Sequence, residues 1–519
     1  MSKKPAGLLL AFTALALFLN ICYRVMATPA WGYNGSRLMP SFALARGINY
    51  YVLPHQGPLY CSLYGPLIAL VYLPATLFSS PNAAVLAGAA ITVLLCFSVA
   101  AFLHFAALGN QLSRIDVLAF LTAGFLMCYL DPLRYACFNI HADGPGLACA
   151  GAACGALYFS WQGSQFALPA SACFAVLAVF CKQTFLPVPL ALLVYVLLSE
   201  GRAKAAPYLL WLAVAGGLAT AGAMFAIGPQ RFYHCLLWVP ARHPWNDASF
   251  ISSALQAMRS FIRLSLVVVS LLTAAGVYFF SKGGFSLIAT AAQRCAPLLL
   301  AGIAMLPSAM VGRAKVGGDI NSFSLALFFL TCGLTVMLAD LARTQEPASA
   351  KLAVVVLAAV LTPLVISEAP LILALPAQVR ELPQSGQNVA FNYLERHPGA
   401  AYFPWFPLAH LYAEHQFRHY AFGIADRLMA NEPVSMADFR AYIPDNPNVI
   451  AFAADGTPDI FGYDLMKYLP EYRCKISDPE LPGWLVYARS GCTALPETTA
   501  APPRALPEAP ADLPRRPPG

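Results

Sequence analysis

The chain has 519 residues, of which 59% are apolar and only 11% are charged. Soluble domains contain about 45–50% apolar and about 25% charged residues, so this composition excludes a soluble enzyme and a disordered scaffold. The formal net charge of +7 comes from 32 basic and 25 acidic residues, without the basic stripe of a nucleic-acid-binding protein. The sequence therefore predicts a polytopic α-helical membrane protein.

Eleven apolar runs reach or approach the roughly 20 residues that a helix needs to cross the hydrocarbon core of a bilayer. They lie at about 7–23, 83–107, 116–131, 143–161, 166–181, 185–199, 206–228, 262–281, 296–312, 321–341 and 352–371. Lys3 and Lys4 precede the first run and favour a cytoplasmic N-terminus. With eleven spans, the loop 24–82 and everything after the last span lie outside the cytoplasm.

A further apolar run at about 62–79 leaves the number of spans open. It contains Pro66 and Pro74 and follows a polar loop, so we interpret it as a helix at the membrane surface. If this run crossed the membrane instead, a twelve-span topology would invert everything after residue 80. The charges do not decide, because outside segments before residue 372 hold eleven Lys and Arg and inside segments hold nine. Either the topology differs, or the outside cations bind an anion.

The composition changes after residue 380, where short strand-like and helical runs alternate. We expect residues 1–375 to form the transmembrane module, 380–492 a small extracytoplasmic α/β domain, and 493–519, with eight prolines, a disordered tail. The predicted strands are Val389–Phe391, Val449–Phe452 and Trp484–Tyr487, and the predicted helices are Met436–Tyr442 and Asp464–Tyr468. Cys474 and Cys492 either pair in an oxidising compartment or remain two thiols.

Four polar clusters lie at span ends, and in the eleven-span topology all of them face the same side. They cover residues 31–37 with 46–51 and 62–67, residues 134–143, residues 182–184 and residues 312–321. Single ionisable groups at a span end are ordinary surface residues, so the convergence of several on one face is what indicates a site. The candidate binding residues are Asn34, Arg37, Tyr64, Arg134, His141, Lys182, Gln183, His234 and Asn321.

Asp143 is the candidate catalytic residue. A carboxylate in a low-dielectric site suits a general base for a hydroxyl nucleophile, although a carboxylate at this first helical position also suits a cap. Lys182 is a candidate phosphate ligand, with snorkelling to the membrane surface as the alternative. No cluster of His, Asp or Glu has metal-binding spacing, so the sequence indicates no metal or other cofactor, while a divalent cation stays open.

Short motifs at the span ends follow one another in an order that carries a family resemblance. They are Gly47–Tyr50, Tyr-Gly-Pro-Leu at 64–67, Ala142-Asp143, Lys182, Phe-Tyr-His-x-x-x-Trp at 232–238 and Gly-Gly-x-x-Asn at 317–321. Over about residues 1–370, this order resembles the GT-C superfamily of integral-membrane glycosyltransferases. The nearest resemblance is to the branch of the lipid A aminoarabinose transferase and the protein O-mannosyltransferases.

The resemblance implies a GT-C-like fold with eleven to thirteen spans and an outer C-terminal α/β domain, in a cell membrane such as the bacterial inner membrane. It also implies transfer of a sugar from a polyprenyl-phosphate donor to a glycan, lipid or protein acceptor of the cell envelope. In that reaction an acceptor hydroxyl, deprotonated by a carboxylate, attacks the anomeric carbon. The lipid phosphate leaves beside cations, for which Lys182, Arg134 and Arg37 are the candidates.

The sequence departs from the family pattern in the first outer loop, where Asn34-Gly35 stands in place of the family's acid. An amide cannot accept a proton, so the role of base falls to Asp143, Asp131 or Asp319, unless catalysis has been lost. Two alternatives follow: a transporter or flippase of lipid-linked sugars, which needs no base, and a catalytically inactive GT-C-like subunit. No internal repeat is visible, which disfavours a transporter built from two related halves.

Overall fold

The computed structural model describes residues 3–60, 63–109, 113–161, 163–247, 249–262, 285–343, 347–453 and 456–489. Most of these residues are helical, in agreement with the predicted membrane fold. In this described part, seven helices are long and apolar enough to cross a membrane, or eight if the bent pair Arg114–Tyr129 and Asp131–Phe138 is one span. The predicted number of eleven is not confirmed, and the predicted span 262–281 lies almost entirely outside the described residues.

Helices of very different lengths alternate along the membrane part of the chain. In chain order they are α1 (Lys3–Ala27), α2 (Gly32–Ala45), α3 (Leu67–Val71), α4 (Pro81–Leu108), α5 (Arg114–Tyr129), α6 (Asp131–Phe138), α7 (Asp143–Trp161), α8 (Ala167–Cys181), α9 (Pro187–Glu200), α10 (Arg202–Ile227), α11 (Pro229–Tyr233), α12 (Val239–Arg242), α13 (250–262), α14 (Phe285–Ala314), α15 (Ser324–Ala342) and α16 (Pro347–Glu381). Local signals set several starts: Ser80 caps α4, and Ser113 with Asp116 forms a capping box at α5.

The apolar run at 62–79 does not form a helix that could cross a bilayer. Its described part contains only α3, of five residues, and the 3-10 helix Leu73–Leu77. Pro66 and Pro74 stand at or near the starts of these two pieces, where a missing N–H is tolerated but a continuous helix is not. Together the pieces span about 20 Å at most, against a hydrocarbon core of about 30 Å.

The C-terminal region folds around a four-stranded sheet of order β1-β2-β6-β5, in which β1 and β2 are parallel and the other pairs antiparallel. A separate hairpin joins β3 to β4. The strands are β1 (Ala401–Tyr402), β2 (Val449–Phe452), β3 (Asp459–Ile460), β4 (Tyr463–Asp464), β5 (Cys474–Ile476) and β6 (Leu485–Ala488). The helices are α17 (Gly386–Arg396), α18 (Pro407–Glu414), α19 (Ala421–Met429) and α20 (Met436–Arg440).

Two elements of this region differ from the prediction. Residues Val389–Phe391, predicted as a strand, lie inside α17, which begins where the Ser385 hydroxyl accepts the backbone N–H of Asn388. Residues 464–468, predicted as a helix, form the end of β4 and the 3-10 helix Leu465–Tyr468. Short apolar runs fit both periodicities, so caps and neighbours decide. Cys474 is disulfide-bonded, while Cys492 and the tail 493–519 lie outside the described residues.

The C-terminal region shares a hydrophobic core with the first outer loop. The backbone N–H of Tyr420 donates to the carbonyl of Leu59 at 3.0 Å, and Arg427 donates to the carbonyl of Val52 at 2.7 Å. A Cβ atom at Gly423 would lie 2.6 Å from the carbonyl oxygen of Leu59, so this approach requires glycine. The first outer loop and α19 are therefore packed directly against each other.

A buried polar cluster joins α1 to α16 within the apolar helices. Arg24 and Glu368 form an ion pair, and the amide of Asn20 donates to the same carboxylate at 2.6 Å. The side-chain oxygen of Asn20 also accepts from Nε of Arg24 at 2.8 Å, so the three side chains satisfy one another. Arg24 is the first residue of the loop 24–82, which is expected to lie outside with cations that could bind an anion, but the structure gives it a carboxylate partner instead.

Candidate functional site

Asp143, the candidate catalytic residue, is completely buried at the start of α7. Its Oδ1 atom lies 2.6 Å from Nζ of Lys182, and its Oδ2 atom accepts the side-chain amide of Asn321 at 2.8 Å. Nδ1 of His141 lies 2.7 Å from the same Oδ2 atom. A buried carboxylate needs hydrogen-bond donors of this kind, and here both oxygens of Asp143 are occupied by them.

His141 connects Asp143 to Tyr64. The backbone N–H of Asp143 also approaches Nδ1, at 3.3 Å. The shorter contact decides the tautomer: we place the ring proton on Nδ1, because an unprotonated nitrogen 2.7 Å from a carboxylate oxygen would be repelled. In a neutral ring Nε2 then has the lone pair, and the Tyr64 hydroxyl donates to it at 2.9 Å. Burial and the positive charges of Arg37 and Lys182 lower the pKa of His141, against the opposite effect of Asp143, and thereby favour the neutral ring.

Lys182 follows the last residue of α8 and is only 8% exposed. The loop around it supplies no carboxylate, and its partner Asp143 lies 39 residues earlier in the chain. The ammonium also lies 5.6 Å from the centre of the Tyr64 ring, within the range of a cation–π contact. A lone buried ammonium is unfavourable, so the ion pair with Asp143 explains how the cation is held at this depth.

A close backbone contact explains the Tyr-Gly-Pro-Leu motif that supplies Tyr64. The N–H of Gly65 donates to the carbonyl of Cys181 at 3.1 Å. A Cβ atom at Gly65 would lie 1.8 Å from the carbonyl oxygen of Phe180, so no other residue fits without moving the end of α8. This contact holds Tyr64 next to Lys182.

Asn34 shapes the segment that leads into Asp143. It is fully buried in α2, and its amide nitrogen donates to the carbonyl of Thr28 and to Oδ1 of Asn139, both at 3.0 Å. Its Oδ1 atom accepts the backbone N–H of Ile140 at 2.9 Å. All of its hydrogen bonds therefore go to protein groups, and its role is to hold the loop 139–142.

Arg37, one turn after Asn34 in α2, is a second cation close to His141. Its guanidinium donates to the Tyr135 hydroxyl at 2.9 Å and lies 5.3 Å from the centre of the Tyr33 ring. A narrow cavity of about 20 Å³ is lined by Arg37 together with Tyr64 and His141. Two cations, Arg37 and Lys182, thus flank the His141–Tyr64 pair.

A larger cavity, of about 170 Å³, lies next to this cluster. Tyr64, Lys182 and Asn321 form part of its wall, and the C-terminal region contributes Phe422 and Asp426 from α19. Asp143 lies behind Lys182 and Asn321 and does not line the cavity. The cavity is therefore enclosed between the helix ends, the first outer loop and the C-terminal region.

Three titratable side chains on the cavity wall were not among the predicted site residues: His243, Lys315 and Asp426. Asp426 is almost completely buried, and its carboxylate lies 3.8 Å from Nε2 of His243. Burial lowers the pKa of His243 to about 4. Lys315 donates to the carbonyls of Pro240 and Ala241 at 2.7 and 3.0 Å, and burial lowers its pKa. The available signal was a carboxylate within the short, strongly amphipathic helix α19.

The other predicted acids lie at the surface. Arg134 pairs with Asp131 at 2.5 Å, and both are well exposed at the start of α6, where they do not contact the Asp143 cluster. Asp319 caps the 3-10 helix Ile320–Phe323 by accepting the N–H of Ile320 at 2.6 Å, and it lies at the cavity rim. The structure thus separates Arg134 from the candidate site and leaves Asp319 within reach of the cavity.

Gln183 and His234 hold neighbouring segments together. The amide nitrogen of Gln183 donates to the carbonyls of Leu63 and Leu236, at 2.7 and 2.6 Å. Nε2 of His234 lies 2.9 Å from the carboxylate of Glu432 in the C-terminal region. Gln183 lines the large cavity, whereas His234 links its loop to the C-terminal region.

Thr184 supplies a hydroxyl for which the described residues contain no hydrogen-bond partner, although its oxygen is buried on the cavity wall. Within the same described residues, no group of three or more His, Cys, Asp or Glu side chains could hold a metal ion. The wall thus combines ammonium, carboxylate and hydroxyl groups, which suit a polar ligand that carries a negative charge.

The comparisons with known proteins give a result only at the level of structure. No family model and no curated protein matches the sequence. The crystal structure of ArnT from Cupriavidus metallidurans bound to undecaprenyl phosphate superimposes with a TM-score of 0.55 and 14% identity, over 95% of this chain and 99% of that chain. The crystal structure of ArnT from the same organism in the apo state superimposes with a TM-score of 0.56 and 13% identity, over 93% of this chain and 98% of that chain. The fold is therefore ArnT-like, which confirms the predicted polytopic membrane fold.

Proposed function

We propose that this protein is a membrane glycosyltransferase that moves a sugar from a polyprenyl-phosphate donor to an acceptor of the cell envelope. The observation that carries the proposal is the buried ion pair in which Lys182 lies on the wall of a polar cavity and Asp143 lies behind it. The shared fold with ArnT, for which a structure with undecaprenyl phosphate is known, supports the same class of donor.

In the proposed reaction, the acceptor oxygen forms a bond to the anomeric carbon while the bond from that carbon to the phosphate oxygen breaks. The electron pair leaves with the phosphate, next to the ammonium of Lys182. A fixed cation stabilises this developing charge more than water does, because it needs no reorganisation at the moment of reaction. Asp143 provides that fixation through its 2.6 Å contact with Lys182.

Asp143 acts in this proposal without contacting the acceptor. Its carboxylate is completely buried, and its oxygens are occupied by Lys182, His141 and Asn321. A general base must lie within about 2.6–3.2 Å of the proton that it removes, directly or through one water. The group that first receives the acceptor's proton is therefore one on the cavity wall.

We further propose that the cavity opens outside the cytoplasm, together with the C-terminal region. The two lysines in the first turn of α1, Lys3 and Lys4, favour a cytoplasmic start, and the disulfide at Cys474 is consistent with an oxidising compartment. An acceptor in the cell envelope would then approach from the side of α19, which contributes Asp426 and Phe422 to the wall.

Two other functions use the same features differently. A transporter or flippase of lipid-linked sugars would bind the phosphate at Lys182 but leave the bond to the sugar intact. A catalytically inactive subunit would show no turnover, and its function would not depend on the ion pair between Lys182 and Asp143. Cleavage of the bond between sugar and phosphate is therefore the property that separates the three.

The test uses the full chain in lipid nanodiscs. Undecaprenyl phosphate is the binding probe, and undecaprenyl-phosphate-linked aminoarabinose with lipid A is the transfer probe, followed by mass spectrometry. We expect Lys182→Met to weaken undecaprenyl phosphate binding at least tenfold. Lys204→Met is the matched control, since Lys204 also pairs with a carboxylate, Glu200 at 2.9 Å, but at the surface.

Three outcomes are distinguishable. Transfer to lipid A, or release of free sugar and undecaprenyl phosphate, supports a transferase. Binding without any bond cleavage, together with movement of the probe across the bilayer, supports the flippase. Equal binding by wild-type protein and the Lys182→Met variant would mean that Lys182 is only a structural cation.

A further inference from the structure

Asp143, His141 and Tyr64 form a continuous chain of contacts from the interior to the wall of the large cavity. The carboxylate of Asp143 accepts Nδ1–H of His141 at 2.7 Å, and Nε2 of His141 accepts the Tyr64 hydroxyl at 2.9 Å. Of these three residues, Tyr64 lines the cavity of about 170 Å³. The chain thus ends at Tyr64, which shares the cavity wall with Lys182.

We propose that Tyr64 is a catalytic residue that takes the proton of the acceptor hydroxyl and passes its own proton to His141, with Asp143 as the positioning residue. This inference rests on the proposed transferase function and assigns the missing proton acceptor of that reaction. The sequence had placed Tyr64 and His141 only among residues that bind substrate.

The proton and the electron pairs balance along this chain. As the acceptor oxygen bonds to the anomeric carbon, its proton moves to the Tyr64 oxygen. The phenolic proton moves to Nε2 of His141, which leaves the phenol neutral and the imidazole positively charged beside Asp143. The electron pair of the broken bond stays on the phosphate oxygen next to Lys182. Release of the His141 proton to that phosphate or to water restores the site.

The charges around His141 indicate when this transfer becomes favourable. Arg37 and Lys182 disfavour the imidazolium and Asp143 favours it, while Tyr135 adds an uncharged ring at 5.4 Å. Burial acts in the same direction as the two cations, so the pKa of His141 is lowered when no ligand is present. A bound phosphate adds negative charge beside Lys182 and offsets one of the two cations. His141 therefore becomes a better proton acceptor once the donor has bound.

The contacts of Asn34 agree with a proton path through Tyr64 and His141. Asn34 cannot accept a proton, but it fixes the backbone of Ile140 and the side chain of Asn139, the two residues before His141. Tyr64 is fixed independently by the close contact of Gly65 with the end of α8. Both ends of the hydrogen bond between Tyr64 and His141 are thus held by backbone contacts, as proton transfer over a short distance requires.

The test measures transfer with the same undecaprenyl-phosphate-linked donor at saturating concentration. Tyr64→Phe keeps the ring against His141 and Lys182 but removes the hydroxyl. We expect its kcat to fall about 10²-fold or more, with undecaprenyl phosphate binding within a few-fold of wild type. Tyr158→Phe is the matched control, because its buried hydroxyl donates at 2.7 Å to the carbonyl of Arg294, and Tyr158 does not line the cavity.

The pH profile separates proton transfer from a structural role. We expect the wild-type kcat to fall at acidic pH as His141 becomes protonated, and His141→Gln to remove that limb along with most of the activity. A Tyr64→Phe variant that binds undecaprenyl phosphate and keeps a kcat within threefold of wild type overturns the proton path while the transferase function stands. A wild-type protein that binds the donor but never cleaves it overturns both.

Folding of the variants is checked independently of turnover. If Tyr64→Phe fails to fold, His141→Asn and His141→Gln test the proposal instead. Each of them interrupts the series of contacts Asp143–His141–Tyr64 at His141. An unchanged acidic limb in a folded His141 variant contradicts the proposal. Loss of the acidic limb of the pH profile of kcat, with undecaprenyl phosphate binding retained, supports the proposal.

Discussion

The side-chain oxygen of Asn34 accepts the backbone N–H of Ile140 at 2.9 Å, across 106 residues of sequence. The amide nitrogen of the same side chain donates to Thr28 and Asn139, so the position requires one acceptor and two donor hydrogens. A carboxylate offers no donor. The replacement of the family's acid by an amide therefore matches a structural task, which is to hold the loop that ends at Asp143.

We expect Asn34→Asp to destabilise the protein by about 2–4 kcal/mol without raising turnover. The carboxylate would lose both donated hydrogen bonds and face two carbonyl oxygens in a buried position. The melting temperature of the variant in nanodiscs measures this effect. Asn388→Asp is the control, because the exposed amide of Asn388 donates only to the carbonyl of Pro383. An unchanged melting temperature with increased transfer would instead show that the acid can be restored here.

The pair between Lys182 and Asp143 predicts strong coupling between two variants. Removing one member of a buried ion pair leaves an uncompensated charge, so Lys182→Met should lower stability by about 3–5 kcal/mol. Asp143→Asn in addition should recover much of that loss, since both groups are then neutral. Asp143→Asn alone should lower transfer at least about 10²-fold, and the double variant should stay inactive.

A double-variant cycle on the pair of Lys204 and Glu200 provides the comparison. That pair joins the end of α9 to the first turn of α10, and the side chain of Lys204 is 48% exposed, so we expect a coupling energy below about 1 kcal/mol. Equal coupling energies for the two pairs would contradict the burial of Lys182. Normal transfer by Asp143→Asn would reduce Asp143 to a helix cap and move the search for an acid to Asp319.

Acidic pH should loosen the contact between the first outer loop and the C-terminal region at His419. Nδ1 of this fully buried ring accepts the N–H of Leu59 at 2.8 Å, and Nε2 contacts the carbonyl of Asp438 at 3.2 Å, so the neutral form fits. Burial lowers the pKa of His419 to about 4, opposed by the carbonyl and charge of Asp438. Because the folded pKa lies below the unfolded value, the stabilisation is complete above about pH 6.5 and is lost as pH falls towards 4.

The expected loss for His419 is about 2 kcal/mol between pH 7 and pH 5. Hydrogen exchange at the Leu59 amide and the melting temperature measure it. His419→Gln can accept and donate at the same sites without titrating, so it should reduce the pH dependence. His397→Gln, at a more exposed ring that pairs with Glu480, is the control. Identical pH profiles for wild type and His419→Gln would show that His419 does not titrate in this range.

The C-terminal region should lie outside the cytoplasm. A reporter fused after residue 519 tests this: alkaline phosphatase should be active there and green fluorescent protein should be dark. Disulfide formation at Cys474 in cells, measured by thiol labelling under non-reducing conditions, provides an independent readout. A fluorescent cytoplasmic fusion would reverse the proposed orientation and the side from which the acceptor approaches.

The sequence predicts the membrane fold because a long apolar run in a bilayer is stable as a helix. It also identifies Tyr64, His141, Asp143, Lys182 and Asn321, which the structure brings into direct contact, since polar residues at span ends are conspicuous against an apolar background. It does not identify Asp426, because the amphipathic pattern of α19 indicates a buried face but not that this helix packs onto the cavity.

The misassigned strand at 389–391 has a related cause. Three consecutive apolar residues fit a short buried strand as well as a helix, but the cap at Ser385 begins helix α17, which runs through them. Arg134 was drawn to the site by its place in a polar cluster, although its short-range partner Asp131 keeps it at the surface. An ion pair between residues three apart, such as that of Asp131 and Arg134, can be recognised in a sequence. Contacts between residues more than a hundred positions apart cannot be read from a single sequence.

The cluster of Asn20, Arg24 and Glu368 has a consequence for how the protein is made. Arg24 is synthesised 344 residues before its carboxylate partner, which at about 5–20 residues per second leaves a delay of about 20–70 s. During this interval α1 carries an uncompensated charge near its end, which favours retention of that end at the bilayer surface or beside the insertion machinery. Insertion of α16 would then release α1 into its final position, so the helix bundle closes only once nearly the whole membrane part has been translated.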